Sequence, residues 1–160
     1  MSELCNRSPF EPGRDRLCDD ERLPISHGLF YCEDAYPDAE LFRDAEALRL
    51  RYAPDLLLAH SMGIDCAGHA QGAGSRAYRE AVRGADGQLA RAIPGWLAWG
   101  AAVIVTSDHG MDADASHADP SKAARRVPFW LVGAPKSVPL PARQTDIAPL
   151  ALRLLGLARS

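Results

Sequence analysis

From Asp38 onward the apolar positions fall into blocks of two kinds. In "DAELFRDAEALRLRY" they recur at helical spacing, at Leu41, Ala45 and Leu48, and Pro54 stops the pattern. "SRAYREAVRGADGQLARAI" opens on Ser75, a good N-cap, and sets Tyr78, Ala81, Val82, Ala85, Leu89 and Ala92 on one helical face. "TDIAPLALRLLGL" reads as a last helix, with Thr145 or Asp146 capping it and Gly156 near its end. Between these helices lie short, continuous apolar runs, "DLLLAHS", "AAVIVTS" and "VPFWLVG", of the kind that form buried strands. Strands apolar throughout and alternating with helices predict an α/β fold whose mainly parallel sheet carries helices on both faces. Residues 1–37 are rich in charge, Pro and Cys and show no sustained period, so they read as an irregular segment ahead of a domain at 38–160.

Composition narrows the function classes. An apolar share of 47% and a charged share of 24% are ordinary for a soluble globular chain. A net charge of −3 gives no footprint for nucleic acid or for anionic lipid. A phosphorylated small-molecule substrate would therefore need a local site rather than bulk positive charge. No apolar run approaches the roughly 20 residues of a membrane span, and "MSELCNRSPFEPGRDR" has no signal-peptide core. Cys5, Cys18, Cys32 and Cys66 form no CxxC pair and read as free thiols of a cytoplasmic protein.

In parallel α/β sheets functional groups gather beyond the carboxyl ends of strands. "DLLLAH" delivers "SMGIDCAGH", with Asp65 and His69 four apart, as on one face of a helical turn. "AAVIVT" delivers "SDHGM", with Asp108, His109 and the release point Gly110. His117 follows in a polar loop. Carboxylates with neutral imidazoles suit Zn²⁺, Mn²⁺ or a related divalent ion, and gathering them without a metal would be costly. His60, inside an apolar run, reads as a hydrogen-bonded core or supporting residue, and His27 has no assigned role. Trp96, Trp99 and Trp130 read as packing residues, with "RAIPGWLAWG" as a turn. "GHAQGAG" lacks the strand–Gly-x-Gly setting of a dinucleotide loop.

Taken in order, "DLLLAHSMGIDCAGHAQG", "VIVTSDHGM", the "SH" at His117, "RRVPFWLVG" and "TDIAPLALRLLGL" resemble the type I phosphodiesterase and nucleotide pyrophosphatase branch of the alkaline phosphatase superfamily, over about residues 54–157. The resemblance implies an alkaline-phosphatase-like fold and two divalent ions, zinc or manganese. It implies that Asp65, His69 and His117 hold one ion tightly, and that Asp108 and His109 contribute to the other. After His117 stands Ala-Asp, where the family has two glycines.

The family also uses an early Asp and a Thr or Ser nucleophile that opens a helix. Neither motif occurs in residues 1–53, where Ser2, Ser8 and Ser26 precede no helical pattern. The chain thus reads as the carboxyl-terminal half of such an enzyme, incomplete on its amino-terminal side and without a catalytic residue of its own. The expected function is metal-dependent phosphoester hydrolysis, represented by its metal-binding half. The alternatives are a sulfatase or phosphoglycerate-mutase relative, or a non-catalytic metal-binding remnant. A sheet lacking a neighbouring strand would leave an edge through which the chain self-associates.

Overall fold

The protein is described by a computed structural model that covers residues 9–33, 36–116 and 121–157. The chain divides into two compact units, residues 1–66 and 67–160.

In the first unit, α1 (Pro12–Asp15) leads into a two-stranded antiparallel ladder of β1 (Leu17–Asp19) and β2 (His27–Leu29). Strands of three residues are too short to display a period, which is why this stretch reads as irregular in the sequence. The register sets Asp19 opposite His27. The two side chains meet at 2.9 Å, and the imidazole stacks on Tyr52 with ring centroids 3.8 Å apart. Tyr52 closes α2 (Asp38–Tyr52), which packs against β2. Ala53 ends that helix in the left-handed conformation, at φ 45°, just before Pro54. The hydroxyls of Tyr31 and Tyr36 both donate to Asp44 near the middle of α2.

The residues after Pro54 depart from expectation. Leu56–His60 form no strand and enter neither ladder among the described residues. Leu56 and Leu58 are 64% and 75% exposed, and His60 is exposed rather than in a core. Apolar residues alone do not make a strand; a partner must complete its ladder. α3 (Gly63–Gln71) follows and runs across the division between the units.

In the second unit, the Ser75 hydroxyl accepts from the Tyr78 amide at 3.0 Å and opens α4 (Arg76–Ala98), as the sequence predicts. α4 continues through Pro94, so "RAIPGWLAWG" is helix up to Ala98 rather than a turn. β3 (Val103–Thr106) packs against α4 and pairs with β4 (Phe129–Val132). The pairing is antiparallel, Val103 opposite Val132 and Thr106 opposite Phe129. α5 (Lys122–Arg125), capped by the Ser121 hydroxyl, lies between these strands in sequence. A 3₁₀ turn (Gln144–Asp146) leads into α6 (Ile147–Leu154). Asp146 precedes α6, but its carboxylate accepts from the amides of Ala142 and Arg143 behind it rather than capping forward.

Mixed α/β structure is thus present. The mainly parallel sheet is not, because both ladders among the described residues are two-stranded and antiparallel. Such narrow sheets bury little. Among the described residues the buried apolar ones are Ala45, Val103, Met111, Ala124 and Leu150, whereas Trp99 and Trp130 are 43% and 56% exposed. Those two tryptophans therefore are not core. No described helix is long and apolar enough to cross a membrane.

Candidate metal centre

α3 presents two of the predicted ligands. Asp65 stands in its first turn, where a carboxylate suits the helix dipole, and His69 in its last. His69 faces the backbone carbonyl of Ala115 through Nδ1 at 3.0 Å. A neutral imidazole in that position carries its proton on Nδ1 and its lone pair on Nε2. The same end of α3 meets the loop after β3 closely. Gly68 is buried against Met111, and a Cβ at Gly72 would stand 2.9 Å from the Ala113 oxygen. The Ala73 amide donates to the Asp112 carbonyl. His69 and the segment 111–116 are thereby tied together within the second unit.

That loop begins with the other pair. β3 ends at Thr106, whose hydroxyl donates to the Pro128 carbonyl at 2.9 Å and holds the strand end to β4. The Ser107 hydroxyl donates to the His109 carbonyl at 2.6 Å, and Asp108 Oδ1 accepts from the His109 amide at 3.0 Å. His109 Nδ1 faces the Gly110 carbonyl at 3.0 Å, so Nε2 again carries the lone pair. His109 Nε2 lies 3.6 Å from Asp108 Oδ2. A lone pair facing a carboxylate is repulsive unless a cation or a proton lies between them. Two donors on one tetrahedral zinc stand about 3.4 Å apart, given metal–ligand distances near 2.1 Å. The donor set and this spacing fit a divalent ion.

Two further residues hold the pair in place. Gln144 donates through Nε2 to the carbonyls of both Ser107 and Asp108, from 36 residues or more away. Gly110 donates to the Ala124 carbonyl at 2.7 Å, and a Cβ on it would stand 2.2 Å from the Ala123 oxygen. No local pattern marks Gln144, although Gly110 was visible as a release point.

Among the described residues, no three His, Cys, Asp or Glu side chains converge as a metal-binding group. His117 lies outside the described residues. Asp65 belongs to the first unit, and His69, Asp108 and His109 to the second. Cys18, Cys32 and Cys66 are free thiols, and Cys5 lies outside the described residues.

The profile of the type I phosphodiesterase / nucleotide pyrophosphatase family matches residues 30–121, more than half of the chain, a span that includes Asp65, His69, Asp108 and His109. The chain belongs to this family. Curated relatives carry a narrower name within the same superfamily, 2,3-bisphosphoglycerate-independent phosphoglycerate mutase. The one from Dinoroseobacter shibae is 29% identical over 153 residues, covering 92% of this chain and 29% of the relative. The one from Ruegeria pomeroyi is 30% identical over 155 residues, covering 93% and 30%. The one from Chromobacterium violaceum is 33% identical over 117 residues, covering 70% and 21%. The chain therefore spans about a third or less of the length of the relatives it matches. No solved structure matches it.

Proposed function

We propose that this member of the phosphodiesterase family supplies the metal-ligating part of a phosphoester-cleaving site. Asp108 and His109 hold one divalent ion, and Asp65, His69 and His117 hold a second. The observation that carries the reading is the 3.6 Å approach of His109 Nε2 to Asp108 Oδ2, with the His109 proton committed to the Gly110 carbonyl. Bound in pairs, such ions polarise the attacking and leaving oxygens of a phosphoryl transfer. The residues' own work is to hold charge and orientation. Asp108 and Asp65 supply negative charge that fixes the ions, and the Ala115 and Gly110 carbonyls set the two imidazoles in the ligating tautomer. Zinc is the ion we assign first, with manganese the alternative. We place the chain in the cytoplasm, acting on a phosphorylated small molecule, with the nucleophile outside these 160 residues.

A second reading has its own support. The named mutase relatives favour transfer of a phosphoryl group between two hydroxyls of a phosphoglycerate over its loss to water. Both readings demand the same ligands. Calorimetric titration of the chain with Zn²⁺ and Mn²⁺ tests them. Loss of one of the two bound equivalents in both Asp108→Ala and His109→Ala is expected, and unchanged stoichiometry and affinity in both variants refute the site. Supplying the 160-residue chain within a full-length relative, then assaying 3-phosphoglycerate against an aryl phosphodiester, separates mutase from hydrolase.

A further inference from the structure

α3 cannot cap itself. The Cys66 amide donates to the Met62 carbonyl at 2.8 Å, which puts Met62 at the N-cap with a side chain that accepts no hydrogen bond. With nine residues, α3 is also shorter than the ~12–15 an isolated helix needs in water. Its first amide, on Gly63, instead donates to the carboxylate of Asp38, 25 positions earlier in the chain. The fit is close. A Cβ on Gly63 would stand 2.8 and 2.9 Å from the two carboxylate oxygens.

Asp38 is no ordinary surface carboxylate. Its Oδ1 is buried and has no hydrogen-bond partner among the described residues. Burial pushes its pKa above the usual carboxylate value, although the Gly63 amide pulls it down. The side chain also begins α2, so it sits at the amino ends of two helices at once, where partial positive charge compensates a buried carboxylate. An aspartate retained there at a desolvation cost fixes something. What it fixes is the turn that carries Asp65, with His69 one turn further along the same helix.

We propose that Asp38 is a positioning residue for the metal site: it caps α3 from a distance and so sets the orientation of Asp65 and His69. It touches neither the ion nor the substrate. This inference rests on the metal-ligand reading of Asp65 and His69. Gly63 is its counterpart, because any side chain there displaces the carboxylate from the amide.

Two measurements on the 160-residue chain test the role. The first is exchange of the Gly63 amide followed by NMR without metal. Protection is expected in wild type and in Asp38→Asn, whose amide oxygen still accepts, and is expected to be lost in Asp38→Ala and Gly63→Ala. The second is Zn²⁺ affinity. Loss of an outer partner that orients a ligand typically weakens metal binding about 10–100-fold. Asp38→Ala and Gly63→Ala should fall in that range, with Asp38→Asn within about twofold of wild type. Two substitutions at opposite ends of one hydrogen bond, with rescue by the isosteric amide, separate positioning from general damage to the fold. If Asp65→Ala loses the Zn²⁺ equivalent assigned to Asp65 and His69 while Asp38→Ala and Gly63→Ala bind as wild type does, the positioning role is overturned and the metal site stands. If wild type and Asp65→Ala bind equally or not at all, the metal reading falls and the positioning role falls with it. Equal Gly63 protection in wild type and Asp38→Ala overturns the distant cap itself.

Discussion

Replacing Gly110 by Ala tests the architecture of the Asp108–His109 loop most directly. The added methyl would stand 2.2 Å from the Ala123 oxygen, 2.8 Å from the Arg126 oxygen and 3.2 Å from the Ala123 carbonyl carbon. All three are backbone atoms at or beside α5, so no side-chain rotation relieves the clash. Overpacking ordinarily costs ~1–3 kcal/mol, and a backbone obstruction places this case at the upper end. Relief by moving the loop breaks the bond from the Gly110 amide to the Ala124 carbonyl, worth about 1 kcal/mol net. A total near 4 kcal/mol corresponds to a fall in Tm of roughly 16–32 °C for a unit of fewer than 100 residues. Gly84→Ala is the control. It lies inside α4 with nothing within 4 Å of a Cβ, and it should gain about 0.5–1 kcal/mol through helix propensity. Urea unfolding followed by tryptophan fluorescence reads both. A Gly110→Ala midpoint within the error of wild type would refute the close approach, and with it the account of how the loop is held.

Gln144→Ala should cost about 1 kcal/mol and weaken Zn²⁺ binding, whereas Gln144→Glu should be worse, because a carboxylate would then face the Ser107 and Asp108 carbonyls; equal stability of the two variants refutes this. The hydrogen bond from His27, followed by that from Tyr52, lowers the pKa of Asp19. Its contribution to stability is therefore present above the unfolded carboxylate pKa of about 4 and is lost as pH falls through the lowered folded value. Asp19→Asn should flatten that acid limb of a Tm-against-pH profile, and an unchanged limb refutes the assignment. On the proposal that the nucleophile lies outside these 160 residues, the chain alone should turn over bis-p-nitrophenyl phosphate negligibly, and robust hydrolysis that depends on Asp108 would count against the reading of residues 1–53. Exposed Leu56, Leu58 and Trp130, with sheets only two strands wide, should make the chain associate as its concentration rises. Light scattering that reports monomer throughout would refute that expectation.

Helices were legible in the sequence because their signals are local. Ser75 caps α4 through its own third neighbour, and Pro54 marks the end of α2 within two residues. β3 and β4 were legible as apolar runs, but their relation was not. A run such as Val103–Thr106 carries no information on whether its partner lies parallel or antiparallel when it is apolar on both faces. "DLLLAHS" shows the limit of composition, since Leu56–His60 have strand residues and no ladder. At the candidate site, the Asp and His residues and their spacings were visible, whereas the groups that hold their loop and helix in place were not. Gln144 and Asp38 act across 36 and 25 positions on backbone atoms, which leave no trace in side-chain pattern.

The division at residues 66 and 67 also sorts the chromophores. Trp96, Trp99 and Trp130 all belong to the second unit, while three of the four tyrosines, Tyr31, Tyr36 and Tyr52, belong to the first. Each of those three is held by a ring stack, Tyr31 on Tyr36 and Tyr52 on His27. Indole emission therefore reports on residues 67–160 alone, and the near-ultraviolet signal of immobilised phenols mainly on residues 9–66. Without any introduced label, one unfolding experiment read at two wavelengths distinguishes a chain whose units melt together from one whose units melt in sequence.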